Sequence, residues 1–259
     1  MKRTLLFLFS SVIALAMTAK TVTPAASLPA YYVSIDGKSG KTLFDAVQKV
    51  TKTGYSSLGY DGLWNAYRYT DLHENGYVWD MYSDCTWKSI NSNHCGSYKN
   101  ECDCYNREHS IPKSWYGGTT SGPGCDIFHL VPTDGKVNGV RSNYPFGEVS
   151  SADYNKHGNK RGSAKSITIT GGNTIAGNTG TNISASGTVF EPRDEYKGDF
   201  ARTYFYMVTR YQNLTWKYTY MFQNNTYPSL NAWSQELLLK WHRQDPVSQK
   251  EIDRNEQVY

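Results

Sequence analysis

Arg107-Glu108-His109 places an imidazole beside a carboxylate. An imidazole that titrates near neutrality can take a proton from water. A carboxylate can hold a hard cation. Adjacent side chains of an ideal strand point to opposite faces. Joint action on one phosphate therefore needs a bent backbone or a substrate lying between the two groups. Pro112 favours irregular backbone just beyond them. A Glu-His pair on its own is a common surface accident. A second cluster begins at Asp126. Residues Asp126 to Val131 alternate as a strand, with Asp126, Phe128 and Leu130 on one face and His129 on the other. Pro132-Thr133-Asp134 reads as the start of a helical turn. Asp134, Asn138 and Arg141 follow at spacings of four and three and share one face. A carboxamide oxygen suits Mg²⁺, and a guanidinium suits phosphate. The Gly139 that follows also makes Asn138 a candidate helix-end residue.

The order of these pieces carries more information than any one of them. A strand-like Glu-His segment, a loop, a second strand and a short helix with a carbonyl ligand make a ββα unit, which can hold one metal between hairpin and helix. The rest of the chain must position that unit. Leu43, Val47 and Val50 lie at helical spacing after Ser39-Gly40, and Leu63, Trp64 and Tyr67 fit one face of a second helix. Thr70 to Asn75 reads as a loop, and Val78, Asp80 and Tyr82 as part of a strand leading to Cys85. Lys88 to Lys99 is Ser/Asn-rich loop. Ser150 to Gly187 is rich in Gly, Ser, Thr and Asn, with Ile167 to Thr170 as its one clear strand. That region reads as surface hairpin and loop. Its Lys156, Lys160, Arg161 and Lys165 would also suit a lip facing nucleic acid.

The C-terminal part is helical. Phe200, Tyr204, Met207, Val208 and Tyr211 recur at spacings near three and four, with Gly198-Asp199 as a candidate N-cap. Leu230 to Trp241 forms the next helix, with Trp233, Leu237, Leu238 and Trp241 on one side. Asp245-Pro246 suits the N-cap and first turn of another. The fold expected is α+β, a mixed single domain built around a ββα-metal finger with C-terminal helices.

Composition sets the outer bounds. The 259 residues suffice for a sizeable core, and charged residues make up 19%, which excludes a disordered tail protein. The net charge of +4 permits an anionic partner without demanding one. Met1-Lys2-Arg3 followed by the apolar run Leu5 to Ala16 reads as a signal peptide over residues 1–19, leaving one domain over 20–259. An uncleaved anchor is the less favoured alternative, and no other stretch is apolar enough to span a bilayer. Export makes Cys85, Cys95, Cys102, Cys104 and Cys125 disulfide candidates. Their number is odd, so one stays free or pairs outside the chain, and the sequence leaves the pairing open. Zinc at Cys102-Asp103-Cys104 is disfavoured, because no histidine stands at the usual spacing.

The chain resembles the endonuclease I family of bacterial secreted and periplasmic nucleases, within the ββα-metal group. The resemblance lies in Arg107-Glu108-His109 with Pro112-Lys113-Ser114-Trp115, in Asp126 to Pro132, in Val137-Asn138-Gly139 and in Arg141 to Tyr144. It continues through Phe190-Glu191-Pro192, Lys197-Gly198-Asp199, Ala201-Arg202 and Tyr206-Met207, with a fainter echo to Tyr259. It implies a secreted or periplasmic metal-dependent endonuclease acting on DNA, with RNA as a second substrate. Little sequence preference and 5′-phosphate ends are expected. His109 would be the general base. Glu108 and Asn138 would hold one Mg²⁺, or in its place Mn²⁺ or Ca²⁺. Asp126 and His129 match motif positions that would orient the hairpin. Some members carry an Arg on the cleaved phosphate, between the two motif blocks. Here Ser110 to Cys125 offers only Lys113, so Lys113 or Arg141 would take that contact.

Lys197, Arg202 and Arg141 are candidates for contacting the phosphate backbone, each also suited to a salt bridge. A monomer that leaves the membrane once its signal is removed completes the expectation. Two other readings compete: an exported binding module with an inactive nuclease site, and a phosphodiesterase for small substrates.

Overall fold

A computed structural model describes residues 30–88, 92–168, 182–183, 185–223 and 226–258. The expected signal peptide lies outside them. Backbone contacts divide the chain into residues 1–46 and 47–259. The division falls inside the first helix, α1 (Gly40–Lys52), which realises the Leu43, Val47 and Val50 spacing. In the first unit a 3₁₀ turn, Ala30–Ile35, precedes it. The second unit is a mixed α+β assembly and contains every residue of the candidate site.

In α2 (Gly59–Thr70) the expected face is buried. Leu63 and Tyr67 join Val78, Cys85, Trp87, Tyr105, Ile127 and Leu130 in one apolar cluster. The segment Val78 to Tyr82, expected as a strand, is irregular apart from a single bridge between Val78 and Leu72. Its Asp80 carboxylate accepts from the Tyr82 backbone and from the Ser83 hydroxyl, at 2.7 and 2.5 Å. A side-chain acceptor so close in sequence draws the backbone away from a ladder. The cysteines pair as Cys85 with Cys102 and Cys95 with Cys104, leaving Cys125 as a buried thiol.

The ββα unit is present with shifted bounds. Strands β1 (Tyr105–His109) and β2 (Leu130–Asp134) pair antiparallel, Asn106 opposite Thr133 and His109 opposite Leu130. Asp126 to His129 is a turn, not the start of the strand. A 3₁₀ turn, Gly122–Cys125, leads into it, and the Asp126 carboxylate accepts from the Phe128 backbone at 3.0 Å. Pro132-Thr133-Asp134 belongs to β2 and not to a helix. Helix α3 (Gly135–Arg141) starts one residue later, with Asp134 as its N-cap accepting from the Val137 backbone at 2.8 Å.

The Ser150 to Gly187 region holds more strand than expected. β3 (Val149–Lys156) and β4 (Asn159–Ala164) form a hairpin, and β7 (Thr188–Glu191) adds to its β4 edge. His157 and Gly158 both have positive φ, 51° and 76°, as a two-residue turn of this hand requires. The His157 ring lies between Asp84 and Glu101, at 3.2 and 3.1 Å. Ile167–Thr168 is the short strand β5, pairing with β6 (Asn182–Ile183), while residues 169–170 lie outside the described residues.

Helix α4 (Lys197–Arg210) begins two residues before the expected cap, so Asp199 lies in its first turn. Helix α5 (Ala232–Gln244) buries Trp233, Leu237, Leu238 and Trp241, and its cap is Asn231. Asp245 ends α5 instead of starting the next helix, and its carboxylate accepts from the Gly198 backbone at 2.8 Å. Helix α6 (Gln249–Val258) starts at a reciprocal cap between Ser248 and Glu251.

Arg254 of α6 reaches the ββα unit. It pairs with Asp71 at 3.0 Å and donates to the carbonyls of Ile127 and Leu130 at 2.8 and 3.1 Å. Asp71 has no exposed surface. Arg254→Met leaves that carboxylate buried without its cation and should lower the unfolding free energy by about 3–5 kcal/mol. Urea denaturation measures it, and a loss below about 1 kcal/mol would place the pair at a hydrated surface instead.

Candidate active site

Glu108 stands near the end of β1 and is 3% exposed. The Tyr82 hydroxyl donates to its Oε1 at 2.9 Å, and Arg141 Nη1 lies 3.1 Å from the same oxygen. Burial raises the carboxyl's pKa, and the Arg141 charge and the Tyr82 hydroxyl oppose that rise. Arg141 closes α3 and is itself buried. Its guanidinium also donates to the carbonyls of His109 and Ser110, at 3.1 and 2.7 Å, and lies over the Phe146 ring. This arginine is spent on the protein. It supports Glu108 and the end of β1 and has no surface left for a phosphate.

Asn138 is half-buried on α3, and its Nδ2 donates to Asn106 Oδ1 at 2.6 Å. Strand alternation puts Asn106 on the same face of β1 as Glu108. A carboxylate and a carboxamide are hard oxygen donors, and Mg²⁺ commonly takes one or two such protein ligands and completes its shell with water and phosphate. The donor set therefore fits one hard cation. Among the described residues no group of three or more His, Cys, Asp or Glu side chains gathers to hold a metal. A cation here would rest on Glu108 and Asn138.

His109 ends β1 and is 8% exposed. Its Nε2 lies 3.1 Å from the Gly124 carbonyl oxygen. A carbonyl can only accept, so Nε2 carries the hydrogen and Nδ1 keeps a lone pair. Burial, with the neighbouring His129 as the next cause, pushes the pKa down to about 3 and keeps the ring neutral. Tyr60 stacks on the imidazole at 5.9 Å, and the His129 ring lies at 5.6 Å. The Gly122–Cys125 turn thus orients the His109 ring. Gly124 has no room for more, since a Cβ there would sit 1.9 Å from the Thr119 carbonyl oxygen.

The other candidates fall into two groups. Asp126 and His129 are fully buried beside the site. Asp126 Oδ2 accepts from the hydroxyls of Tyr206 and Tyr211, at 2.8 and 2.7 Å. His129 Nε2 meets the Pro123 carbonyl at 2.5 Å, one residue before the carbonyl that His109 uses. Both brace the turn. Lys113 is exposed, and its charge acts on His109. Lys197 and Arg202 are drawn elsewhere. Lys197 binds Glu191 and Asp194 at 2.7 and 2.6 Å, and Arg202 binds Glu251 and Asp199. Both are salt-bridge partners in the structure, the other role that the sequence allowed them. The basic cluster on the β3–β4 hairpin is likewise matched by acids, Lys156 by Glu101 and Arg161 by Asp153. Sequence reasoning missed Tyr82 and Asn106. Asn106 adjoins the Arg-Glu-His motif and shares the period-two face of Glu108. For Tyr82 the sequence carries no signal.

The Endonuclease I family model matches residues 39–259. The chain is similar to an extracellular ribonuclease of Bacillus amyloliquefaciens, 33% identical over 92% of this chain and 73% of that protein. It is also similar to an extracellular ribonuclease of Bacillus subtilis (strain 168), 31% identical over 91% of this chain and 73% of the relative.

Arg141→Met should destabilise the fold by about 3–5 kcal/mol, because Glu108 then stays buried without its partner. The same change in a Glu108→Gln background should cost clearly less. Denaturation in EDTA compares the two. Equal losses in both backgrounds would mean that Arg141 acts through the two carbonyls and Phe146 alone.

Proposed function

The chain belongs to the endonuclease I family, and from that premise we propose that it is a secreted, metal-dependent endonuclease with little sequence preference, cleaving RNA as well as DNA. Nuclease chemistry follows from the family. The names of the two Bacillus relatives bring RNA forward beside the DNA expected from sequence. Export is supported by the basic start and apolar run of residues 1–19 and by the two disulfides. Among the described residues no helix is long and apolar enough to cross a membrane.

The observation that carries the mechanism is the hydrogen bond from His109 Nε2 to the Gly124 carbonyl. It leaves Nδ1 as the lone-pair nitrogen of a fixed ring, the atom that would take a proton from a water attacking phosphorus in line, and the negative charge of a bound phosphate would raise its pKa from the low value that burial sets. Glu108 and Asn138 would hold one Mg²⁺, with Mn²⁺ or Ca²⁺ as substitutes. When bound, such an ion neutralises charge on the phosphoryl oxygens and on the departing 3′-oxygen. Lys113 takes the phosphate contact, being exposed and close enough for its charge to act on His109. Asp126 and His129 keep the Gly122–Cys125 turn in place. Cleavage on this path leaves 5′-phosphate and 3′-hydroxyl ends.

The test is cleavage of plasmid DNA and of single-stranded RNA by the purified protein, with Mg²⁺ and with EDTA. His109→Ala should lower the rate by about 10²–10⁴-fold while cation and nucleic-acid binding persist. Glu108→Ala and Asn138→Ala should weaken cation binding as well as rate. Lys113→Ala should flatten the dependence of log affinity on log salt by about one unit. Wild-type cleavage by His109→Ala would remove the proposed base. Products ending in 3′-phosphate would sink the in-line water mechanism.

A further inference from the structure

A carboxamide is nearly symmetric in shape and opposite in charge at its two ends. Only its oxygen can bind a cation, and its NH₂ group repels one. If Asn138 is a cation ligand, something must choose which end faces the ion. Asn138 sits in α3, which packs on β1, and no neighbour on its own helix is hydrogen-bonded to its side chain in the described contacts. The partner that the fold supplies is Asn106, whose Oδ1 lies 2.6 Å from Asn138 Nδ2. Asn106 is fixed in turn by its place in the β1–β2 ladder, opposite Thr133 and two residues before Glu108.

We propose that Asn106 is a positioning residue for the cation site. By accepting from Asn138 Nδ2 it leaves Asn138 Oδ1 as the end available to a cation. The inference rests on the reading that Glu108 and Asn138 hold the ion. The opposite arrangement, in which Asn106 donates to Asn138 Oδ1, would occupy that oxygen and weaken the site. Asn106 makes no direct contact with the cation in this proposal. Its influence passes through Asn138 alone.

Mn²⁺ binding, measured by calorimetry on the folded protein, separates the alternatives without reference to activity. Circular dichroism and the melting temperature report whether each variant is folded. Asn106→Leu, isosteric but without an acceptor, should bind Mn²⁺ about tenfold more weakly, in the range usual for groups that orient a metal ligand. Asn106→Asp keeps the acceptor and should bind at least as well as the wild type. A carboxylate needs no orienting, because both of its ends are oxygen. In an Asn138→Asp background, Asn106→Leu should therefore have no further effect on Mn²⁺ affinity. Three results would overturn the inference: wild-type affinity in Asn106→Leu, weakened binding in Asn106→Asp, or an equal loss from Asn106→Leu in both backgrounds. The last would make Asn106 a direct ligand. Failure of the underlying reading looks different: Asn138→Ala would then bind Mn²⁺ as the wild type does.

Discussion

A carboxylate with almost no access to water must find its charge partners inside the protein. Glu108 is such a group, and much of the second unit is arranged around it. Tyr82 comes from the segment before the first disulfide, and Arg141 from the last turn of α3. Neither is near Glu108 in sequence. The pair of Glu108 and Arg141 ties helix to strand, and the guanidinium packs over Phe146 beneath. Removing either charge strands the other, which is why this interaction resists piecemeal change.

The same device appears a second time at the same end of the hairpin. The β1–β2 ladder ends where His109 faces Leu130. Backbone carbonyls just past a ladder's end have no strand partner and must be satisfied otherwise. Arg141 takes those of His109 and Ser110 on one side. Arg254 takes those of Ile127 and Leu130 on the other. Each guanidinium is also paired with a buried acid, Glu108 or Asp71. Two forks thus fix the two ends of the loop between the strands, and that loop supplies the carbonyls of Pro123 and Gly124 to the two histidines. The C-terminal helix, far from the chemistry in sequence, belongs to the scaffold of the site.

Much of this was legible in the sequence. The order Glu-His, strand, Asn-bearing helix identified the ββα unit, and helical spacing located α1, α2, α4 and α5. The misreadings have physical causes. Asp126 to His129 alternates like a strand, yet a short acceptor at Asp126 bends it into a turn. Strand β3 is exposed on most of its length and β4 buries mainly Asn159 and Gly162, so the hairpin shows no alternation of apolar and polar residues. The last helix was assigned to Asp245-Pro246, although Ser248 and Glu251 three residues on spell the reciprocal cap that starts it. Lys197 and Arg202 each have an acid three residues earlier, Asp194 and Asp199, which local sequence does offer, but Arg202 also has a partner that it does not. Glu251 is 49 residues from Arg202. Ion pairs formed across a fold leave no trace in local sequence.

The disulfide pattern has a consequence in time. The four cysteines that pair lie between residues 85 and 104, and the thiol that remains free is Cys125. A polypeptide is synthesised and delivered from its N-terminus. Every productive partner therefore emerges before the competitor does. Placed last, it is buried against Ser57 in the folded protein, away from the four sulfurs that pair. The five thiols are chemically alike, so what distinguishes Cys125 in the native state is where the fold buries it.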